Sequence, residues 1–185
     1  PYRICILTDK PLFYDTHTSM KVAILQTGQA PTSLCGIYGD YDAMSKNLIG
    51  YAPDEADTFV VREGDFPPIS HDYDLFIVTG SRCGVYEDHF WIPELESVIR
   101  NAYHGTTQLI GLCFGHQILA QALGGKVVNS DKGYGIGVMD YNLSTEFNTK
   151  HKISLCAWHQ DQVVIPPDDA DVFLTSPFCK YAGLI

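Results

Sequence analysis

The sequence lacks any apolar run of the roughly 18 to 20 residues that a membrane-spanning helix needs. It also lacks an excess of basic residues: 12 Lys and Arg against 22 Asp and Glu give a net charge of −10 at pH 7. That charge repels phosphate backbones and anionic lipid, so we expect neither nucleic acid nor membrane as a partner. The N-terminal residues do not follow the charged, apolar and small-residue order of a signal peptide. We therefore expect a cytoplasmic protein.

Paired cysteines are missing as well. The sequence has six cysteines but no C-x-x-C pair and no Cys/His cluster at zinc-ligand spacing. In a reducing compartment, cysteines scattered in this way are mostly small buried hydrophobic side chains. The pattern predicts no disulfide framework, no metal site and no cofactor. The cysteines are Cys5, Cys35, Cys83, Cys113, Cys156 and Cys179.

Apolar runs of strand length alternate with helical patterns as far as Gly125. The 185 residues are 45% hydrophobic, enough for one sizeable core. Strands that are apolar throughout indicate an α/β fold, with a mainly parallel central sheet, helices on both faces and ligands bound beyond the carboxyl ends of the strands. The predicted strands, with their turns, cover 20–28, 58–61, 74–80 and 108–112, and the predicted helices cover 38–48, 93–103 and 116–124. Short strands are predicted beyond Gly125, at 126–128, 137–141, 153–158 and 172–175.

The first 19 residues contain little apolar sequence. Only Ile4 to Leu7 form an apolar run, and a polar stretch follows it. We expect residues 1–19 to be an N-terminal extension or a fragment boundary, and the domain to occupy 20–185. Deleting 1–19 should then leave the domain folded. The alternative is that Ile4 to Leu7 add an edge strand to the sheet.

The segment Gly111-Leu112-Cys113-Phe114-Gly115 joins an apolar strand to an apolar-faced helix. This is the pattern of a nucleophile elbow, with cysteine in place of serine. The sharp turn strains the backbone at Cys113, and the positions two before and two after pack too closely for any residue but glycine. The helix N-terminus favours a thiolate and offers N–H groups to an oxyanion. Cys113 is therefore the candidate nucleophile.

Several segments resemble class I, triad-type glutamine amidotransferase domains. Gly111 to Gln117 match the nucleophile motif, and Val78 to Leu95 resemble the oxyanion loop and its following helix. Lys132 to Val138 and Trp158 to Val163 resemble two later segments of that family, in the same order. The similarity extends from about Met20 to Ile185 and is greatest to a stand-alone branch that includes γ-glutamyl peptidases. It implies a flavodoxin-like fold.

The resemblance also implies roles for individual residues. Cys113 attacks the side-chain amide of glutamine, releases ammonia and leaves a γ-glutamyl thioester that water hydrolyses. Backbone N–H groups of Phe114 and Ser81 hold the oxyanion. Ser81 stands where relatives often carry a second glycine, which narrows the space above Cys113. The residues implied in substrate binding are Gly80, Gln117 and His159.

More than one function is compatible with these residues. The implied activity is hydrolysis of the glutamine γ-amide, and the alternatives are a γ-glutamyl peptidase or a catalytically silent regulatory binding module on the same scaffold. Redox and chaperone proteins with a cysteine elbow usually place His directly after the nucleophile, where this chain has Phe114. The expected partner is a small molecule, glutamine or a γ-glutamyl compound, with a separate synthetase chain or a homodimer as a possible assembly.

A catalytic base is not evident. In the resembled family the base and its orienting carboxylate come from a His-Pro-Glu motif beyond the region that matches 176–185, and no His-Pro-Glu occurs here. We expect the chain to be C-terminally truncated, lacking that part of the domain, and catalytically incomplete. The alternative is that His159 or, less favoured, His116 acts as the base. A structural role is preferred for His116, because an i+3 side chain should face the sheet or its loops.

Overall fold

The computed structural model describes residues 4–7, 20–52, 55–70, 72–144 and 152–185, and of Ile4–Leu7 the backbone alone. The domain boundary predicted at residue 19 therefore lies outside the described residues. None of the helices described below is both long and apolar enough to span a membrane.

A five-stranded sheet carries the candidate site. Its strands lie in the order β1-β5-β4-β2-β3. Strands β2 to β5 run parallel, and β1 pairs antiparallel with β5. The predicted α/β class with a mainly parallel sheet is confirmed. The strands are β1 (Ile4–Leu7), β2 (Val22–Leu25), β3 (Ala56–Phe59), β4 (Leu75–Val78) and β5 (Gln108–Leu112).

Helices cover both faces of this sheet, as predicted. They are α1 (Thr32–Tyr38), α2 (Tyr41–Ile49), α3 (Ile92–His104) and α4 (Phe114–Ala122). Successive strand residues point to opposite faces. Ala23 and Leu25 therefore pack in the cluster that holds the apolar faces of α3 and α4, whereas Val22 and Ile24 pack in a second cluster with Ile49 of α2. Burial on both faces explains why these strands are apolar throughout.

The second half of the described chain is mostly antiparallel. A four-stranded sheet has the order β11-β10-β7-β8, and β6 pairs with β9. The turn between β8 and β9 brings His159 and its neighbours next to α4. There Nε2 of Gln117 on that helix donates to the Asp161 carbonyl. The strands are β6 (Lys126–Val128), β7 (Gly135–Leu143), β8 (Lys152–His159), β9 (Gln162–Ile165), β10 (Val172–Thr175) and β11 (Gly183–Leu184).

The first strand differs from the favoured expectation. Ile4–Leu7 pair antiparallel with β5, from Ile4 opposite Leu112 to Leu7 opposite Leu109. The edge-strand alternative therefore holds for these four residues. A run of four apolar residues carries too little pattern to distinguish an added edge strand from an unstructured extension.

Two further predictions are corrected. The helix predicted over 38–48 is α2 and begins only at Tyr41, because Gly39 with φ of 76° ends a preceding helix, α1, that was not predicted, and the Asp40 side chain caps α2 by accepting from the Tyr41 N–H. The strand predicted at 58–61 is Ala56–Phe59, and Val61–Glu63 form a 3₁₀ turn. Strands β9 and β11 were not predicted.

Candidate active site

Cys113 lies in a sharp turn between β5 and α4. Its φ is 56° and its ψ is −104°, and it is the only residue other than glycine with a positive φ among those the structure describes. Such backbone is strained and persists where the surrounding packing enforces it. The side chain is half-buried. This is the elbow geometry predicted from the sequence.

Two glycines make this turn possible. A Cβ on Gly115 would lie 2.1 Å from the Val78 carbonyl oxygen on β4. A Cβ on Gly111 would lie 2.5 Å from the carbonyl group of Gly115. Both clashes are with backbone, which cannot move aside as a flexible side chain does. The prediction that only glycine fits at these two positions is confirmed.

The other described cysteines differ from expectation. Of the five whose side chains are described, Cys179 is buried, Cys156 is exposed, and Cys35 and Cys83 are half-buried like Cys113. The expectation that most are buried is therefore wrong. Cys83 and Cys179 lie in loops and Cys156 lies on the edge strand β8, whereas Cys35 lies on α1, a helix with no buried residue.

The turn after β4 lies beside Cys113. A Cβ on Gly80 would lie 3.8 Å from Cβ of Cys113. The Thr79 carbonyl accepts from the Gly115 N–H at 3.1 Å and from the Thr27 hydroxyl at 3.0 Å. These bonds join the ends of β2 and β4 to the start of α4. They fix Gly80, and with it the adjoining Ser81, relative to the elbow.

Phe114 begins α4, so its N–H is one of those at the helix start without an acceptor inside the helix. Its side chain is fully buried and packs on Trp91, with ring centroids 5.6 Å apart. The ring anchors the first turn of the helix.

Gln117 and His159 lie on one wall of the site. Nε2 of Gln117 donates to the Asp161 carbonyl oxygen at 2.9 Å, and Nδ1 of His159 donates to the same oxygen at 2.9 Å. Both side chains are buried. The His159 ring packs edge-on against Phe178 at 5.4 Å. Two of the three residues assigned to substrate binding thus meet at one backbone atom.

His116 faces away from this wall. It is buried, and its Nε2 is 2.9 Å from the Tyr181 carbonyl oxygen. This contact agrees with the structural role preferred for it.

Tyr86 joins the loop after β4 to the same wall. Its hydroxyl donates to an Asp161 carboxylate oxygen at 3.0 Å. Burial raises the pKa of Tyr86, and the hydrogen bond to Asp161 raises it further. The hydroxyl therefore stays protonated and keeps donating at neutral pH. Tyr86 lies within the segment from Val78 to Leu95 that resembles the oxyanion loop and its following helix, but the resemblance implied no role for it.

Tyr41 is a site neighbour that the sequence did not reveal. Burial raises the pKa of its phenol, negative charge on Cys113 raises it further, and positive charge on Arg82 opposes both. The phenol thus lies within electrostatic reach of Cys113 and Arg82. The break at Gly39 places Tyr41 at the start of α2, and no motif marks that position.

Cys83, Glu87 and His89 come together in the loop after β4. Their possible ligand atoms all lie within 4.8 Å of one another. Glu87 also accepts from the Gly84 N–H at 2.8 Å and contacts His89 Nε2 at 3.0 Å, and these bonds lower its pKa. Thiolate, imidazole and carboxylate are zinc ligands. No metal site was predicted from the sequence, in which the only signal is the spacing Cys-x₃-Glu-x-His.

Known proteins similar to this chain identify its family. Residues 41–185 match the family model "Glutamine amidotransferase class-I". The chain belongs to this family. Gamma-glutamyl peptidase 2 of Arabidopsis thaliana is 30% identical over 152 residues, which cover 77% of this chain and 61% of that protein. This confirms the resemblance inferred from the motifs.

Other relatives agree on the family. A glutamine-hydrolyzing GMP synthase subunit of Sulfurisphaera tokodaii is 27% identical over 120 residues, covering 63% of this chain and 62% of that protein. The chain spans about three fifths of the length of these two relatives. A crystal structure of a glutamine amidotransferase from Methylobacillus flagellatus has the same fold, with a TM-score of 0.70 and 22% identity over 89% of this chain and 64% of that chain.

Proposed function

We propose that this protein is a thiol hydrolase that cleaves the γ-amide of glutamine with Cys113 as its nucleophile. The strained elbow at Cys113 carries the proposal. It presents a half-buried thiol at the N-terminus of a helix, where a thiolate is favoured. Membership of the class I family supports the same chemistry.

The reaction has two covalent steps. Sγ of Cys113 attacks the γ-carbonyl carbon, and the carbonyl oxygen becomes an oxyanion held by the N–H groups of Phe114 and Ser81. Collapse breaks the C–N bond, the nitrogen takes a proton and leaves as ammonia, and a γ-glutamyl thioester remains. Water then attacks the thioester and releases glutamate and the Cys113 thiol. The contacts of Gly80 and Thr79 with the elbow support this oxyanion site.

The glutamyl part of the substrate lies along the wall of Gln117 and His159 in this proposal. Gly80 leaves room beside the nucleophile because it has no side chain. His159 is buried and held through Nδ1, and Gln117 is held through Nε2, which suits side chains that shape a pocket.

We assign the general base to neither His116 nor His159. Each is buried with one ring nitrogen 2.9 Å from a main-chain carbonyl oxygen, which supports a positioning role. The test compares turnover by this chain with turnover by a form extended through a His-Pro-Glu segment. Full turnover by the 185-residue chain that is lost in His159→Ala would make His159 the base.

A γ-glutamyl peptidase is the second candidate. The identity of 30% with gamma-glutamyl peptidase 2 of Arabidopsis thaliana supports it. The chemistry is the same, and only the leaving group changes, from ammonia to an amine. A catalytically silent binding module remains an outcome of the test.

We also propose a cytoplasmic protein with a small-molecule substrate. The five described cysteines are thiols, which fits a reducing compartment. A separate synthetase that uses the released ammonia is a proposed partner, supported by the relative named as a subunit of a GMP synthase. A homodimer is the alternative assembly.

The deciding experiment uses the form extended through a His-Pro-Glu segment and compares its wild type with Cys113→Ala and with the control Cys156→Ala, which alters an exposed cysteine. Ammonia release from glutamine and amine release from a γ-glutamyl peptide are measured. We expect Cys113→Ala to abolish both and Cys156→Ala to change neither. An acid quench should trap the γ-glutamyl group on the peptide that contains Cys113. Turnover that survives in Cys113→Ala would refute the proposal, and ligand binding without turnover by the wild type would favour a silent module.

A further inference from the structure

A cavity of about 260 Å³ lies at the carboxyl edge of the central sheet, near the candidate nucleophile. The loops after β2 and β4 and the 3₁₀ turn after β3 form its walls. Two of its lining residues are arginines, and none of the described residues that line it is acidic. The described lining thus carries two positive side chains and no negative one, in a chain with a net charge of −10. The residues used below are Thr27, Gly28, Arg62, Ser81, Arg82 and Trp91.

The cavity adjoins the elbow through Ser81 and Gly80. Ser81 lines the cavity and follows Gly80, whose added Cβ would lie 3.8 Å from Cβ of Cys113. Gly28 closes the gap on the other side, because a Cβ there would lie 2.6 Å from the Gly80 carbonyl oxygen. Trp91 also lines the cavity and packs on Phe114. An amine that leaves the γ-carbonyl carbon attacked by Cys113 therefore has this space beside it.

The cavity and the wall of Gln117 and His159 are formed by different elements near Cys113. Gln117 and His159 meet at Asp161 next to α4. The cavity extends from Ser81 after β4 towards Thr27 after β2 and Arg62 after β3. The strand order places β4, β2 and β3 successively farther from β5. If the glutamyl part lies along the wall, the other side of the scissile bond points towards the cavity.

Arg62 has a donor available. Its Nη2 pairs with the exposed carboxylate of Glu63 at 2.9 Å. Its Nε is buried and has no acceptor among the described residues. A buried donor without an acceptor costs free energy, which a bound anion recovers. Arg82 is exposed at the opposite loop and lies within electrostatic reach of Tyr41, as Cys113 does.

The volume of the cavity indicates which kind of leaving group would use it. Ammonia is similar in size to a water molecule, which occupies about 30 Å³ in the liquid, so it needs little of this space. An amino acid or a dipeptide needs much more, and its carboxylate matches the planar fork of a guanidinium.

We infer that this cavity binds the leaving group of the reaction and that Arg62 and Arg82 hold its carboxylate. The inference rests on the second candidate under the proposed function, the γ-glutamyl peptidase, and it narrows the substrates to γ-glutamyl amides of carboxylate-bearing amines. In the first step the C–S bond to Cys113 forms, the C–N bond breaks and the nitrogen takes the proton that the Cys113 thiol gives up. The free amino acid or peptide then leaves from the cavity.

The test uses the whole protein and two substrates, a γ-glutamyl dipeptide with a free C-terminal carboxylate and the same compound with a C-terminal amide. The readout is the ratio of their kcat/KM values. We expect the wild type to prefer the acid and Arg62→Ala or Arg82→Ala to lower this ratio about 10- to 100-fold, as expected for loss of charged hydrogen bonds. Arg62→Lys keeps the charge but loses the fork, and should lower the ratio less. The control Arg100→Ala also removes one positive charge, but from α3 and outside the cavity, so it should leave the ratio of kcat/KM values unchanged.

Calorimetry on Cys113→Ala separates this inference from the proposed hydrolase. We expect that protein to bind the acid more tightly than the amide, an added Arg62→Ala change to reduce this difference in affinity, and the further addition of Arg82→Ala to remove it. Equal binding of acid and amide, or a ratio that neither arginine affects, would overturn the carboxylate site even where Cys113 is shown to turn over both substrates. Carboxylate-dependent binding without turnover would support the site and count against the hydrolase.

Discussion

Gln117 and His159 donate to one acceptor, the main-chain carbonyl oxygen of Asp161, each at 2.9 Å. Because a carbonyl oxygen only accepts, His159 carries a proton on Nδ1. The Asp161 side chain accepts from Tyr86 in the loop after β4. Asp161 therefore ties the helix that begins at the nucleophile to the β8–β9 turn and to the candidate oxyanion loop.

Replacing Gln117 should disturb this wall. Gln117→Ala removes one of the two bonds to the Asp161 carbonyl, so we expect KM for a γ-glutamyl substrate to rise about 10-fold, or ~1.4 kcal/mol, with a smaller change in kcat. Gln121→Ala is the control, because Gln121 lies on the same helix but donates to Val85 and Glu96. Steady-state kinetics measure both variants. Equal changes in KM in the two variants would show that the effect comes from a general disturbance of α4 and not from loss of the bond to Asp161.

Cys113 should be the cysteine that iodoacetamide modifies first near neutral pH. The helix N-terminus favours its thiolate, whereas Cys156 is more exposed but lies on a strand with no helix start behind it. Peptide mapping after brief labelling gives the order of reaction. Because Cys156 is the more accessible thiol, its faster labelling would mean that exposure, and not the elbow, controls reactivity.

Gly115 should tolerate no side chain. Gly115→Ala places a Cβ 2.1 Å from the Val78 carbonyl oxygen, so we expect a loss of about 3 kcal/mol and a fall in Tm of roughly 6 to 12 °C. Gly36 on α1 is the control, since a Cβ there has nothing within 4 Å. Gly36→Ala should be neutral or gain up to about 1 kcal/mol through helix propensity. Thermal unfolding measures both, and an unchanged Tm in Gly115→Ala would contradict the packing described.

Removing residues 1–19 should destabilise the sheet. The deletion takes away β1 and leaves the outer edge of β5, the strand that leads into Cys113, without its antiparallel partner. We expect Tm to fall by several degrees. Deleting residues 1–3 is the matched control, because it spares Ile4–Leu7. If the variant without residues 1–19 unfolds at the same temperature as the variant without residues 1–3, β1 contributes nothing to stability.

The elbow and the parallel strands were predictable because their signals are local. Gly111, Cys113 and Gly115 stand within five residues, and the parallel strands β2, β4 and β5 are buried on both faces, whereas β3 is only partly buried and its bounds were predicted less well. The Asp161 contact was not predictable, because a backbone carbonyl leaves no mark in the sequence. The Cys83, Glu87 and His89 cluster depends on how one loop folds, and the place of Tyr41 depends on a helix break at Gly39 that helix propensity alone did not locate.

The bond from the Gly115 N–H to the Thr79 carbonyl also sets where the chain can change in length. In the same part of the sheet, Val78 lies opposite Gly111 in the parallel register of β4 and β5. One residue inserted into β4 would turn its following side chains to the opposite face and separate Thr79 from Gly115. Insertions and deletions are therefore compatible with the elbow only outside the stretch from Leu75 to Ser81, and variation in loop length should begin beyond it.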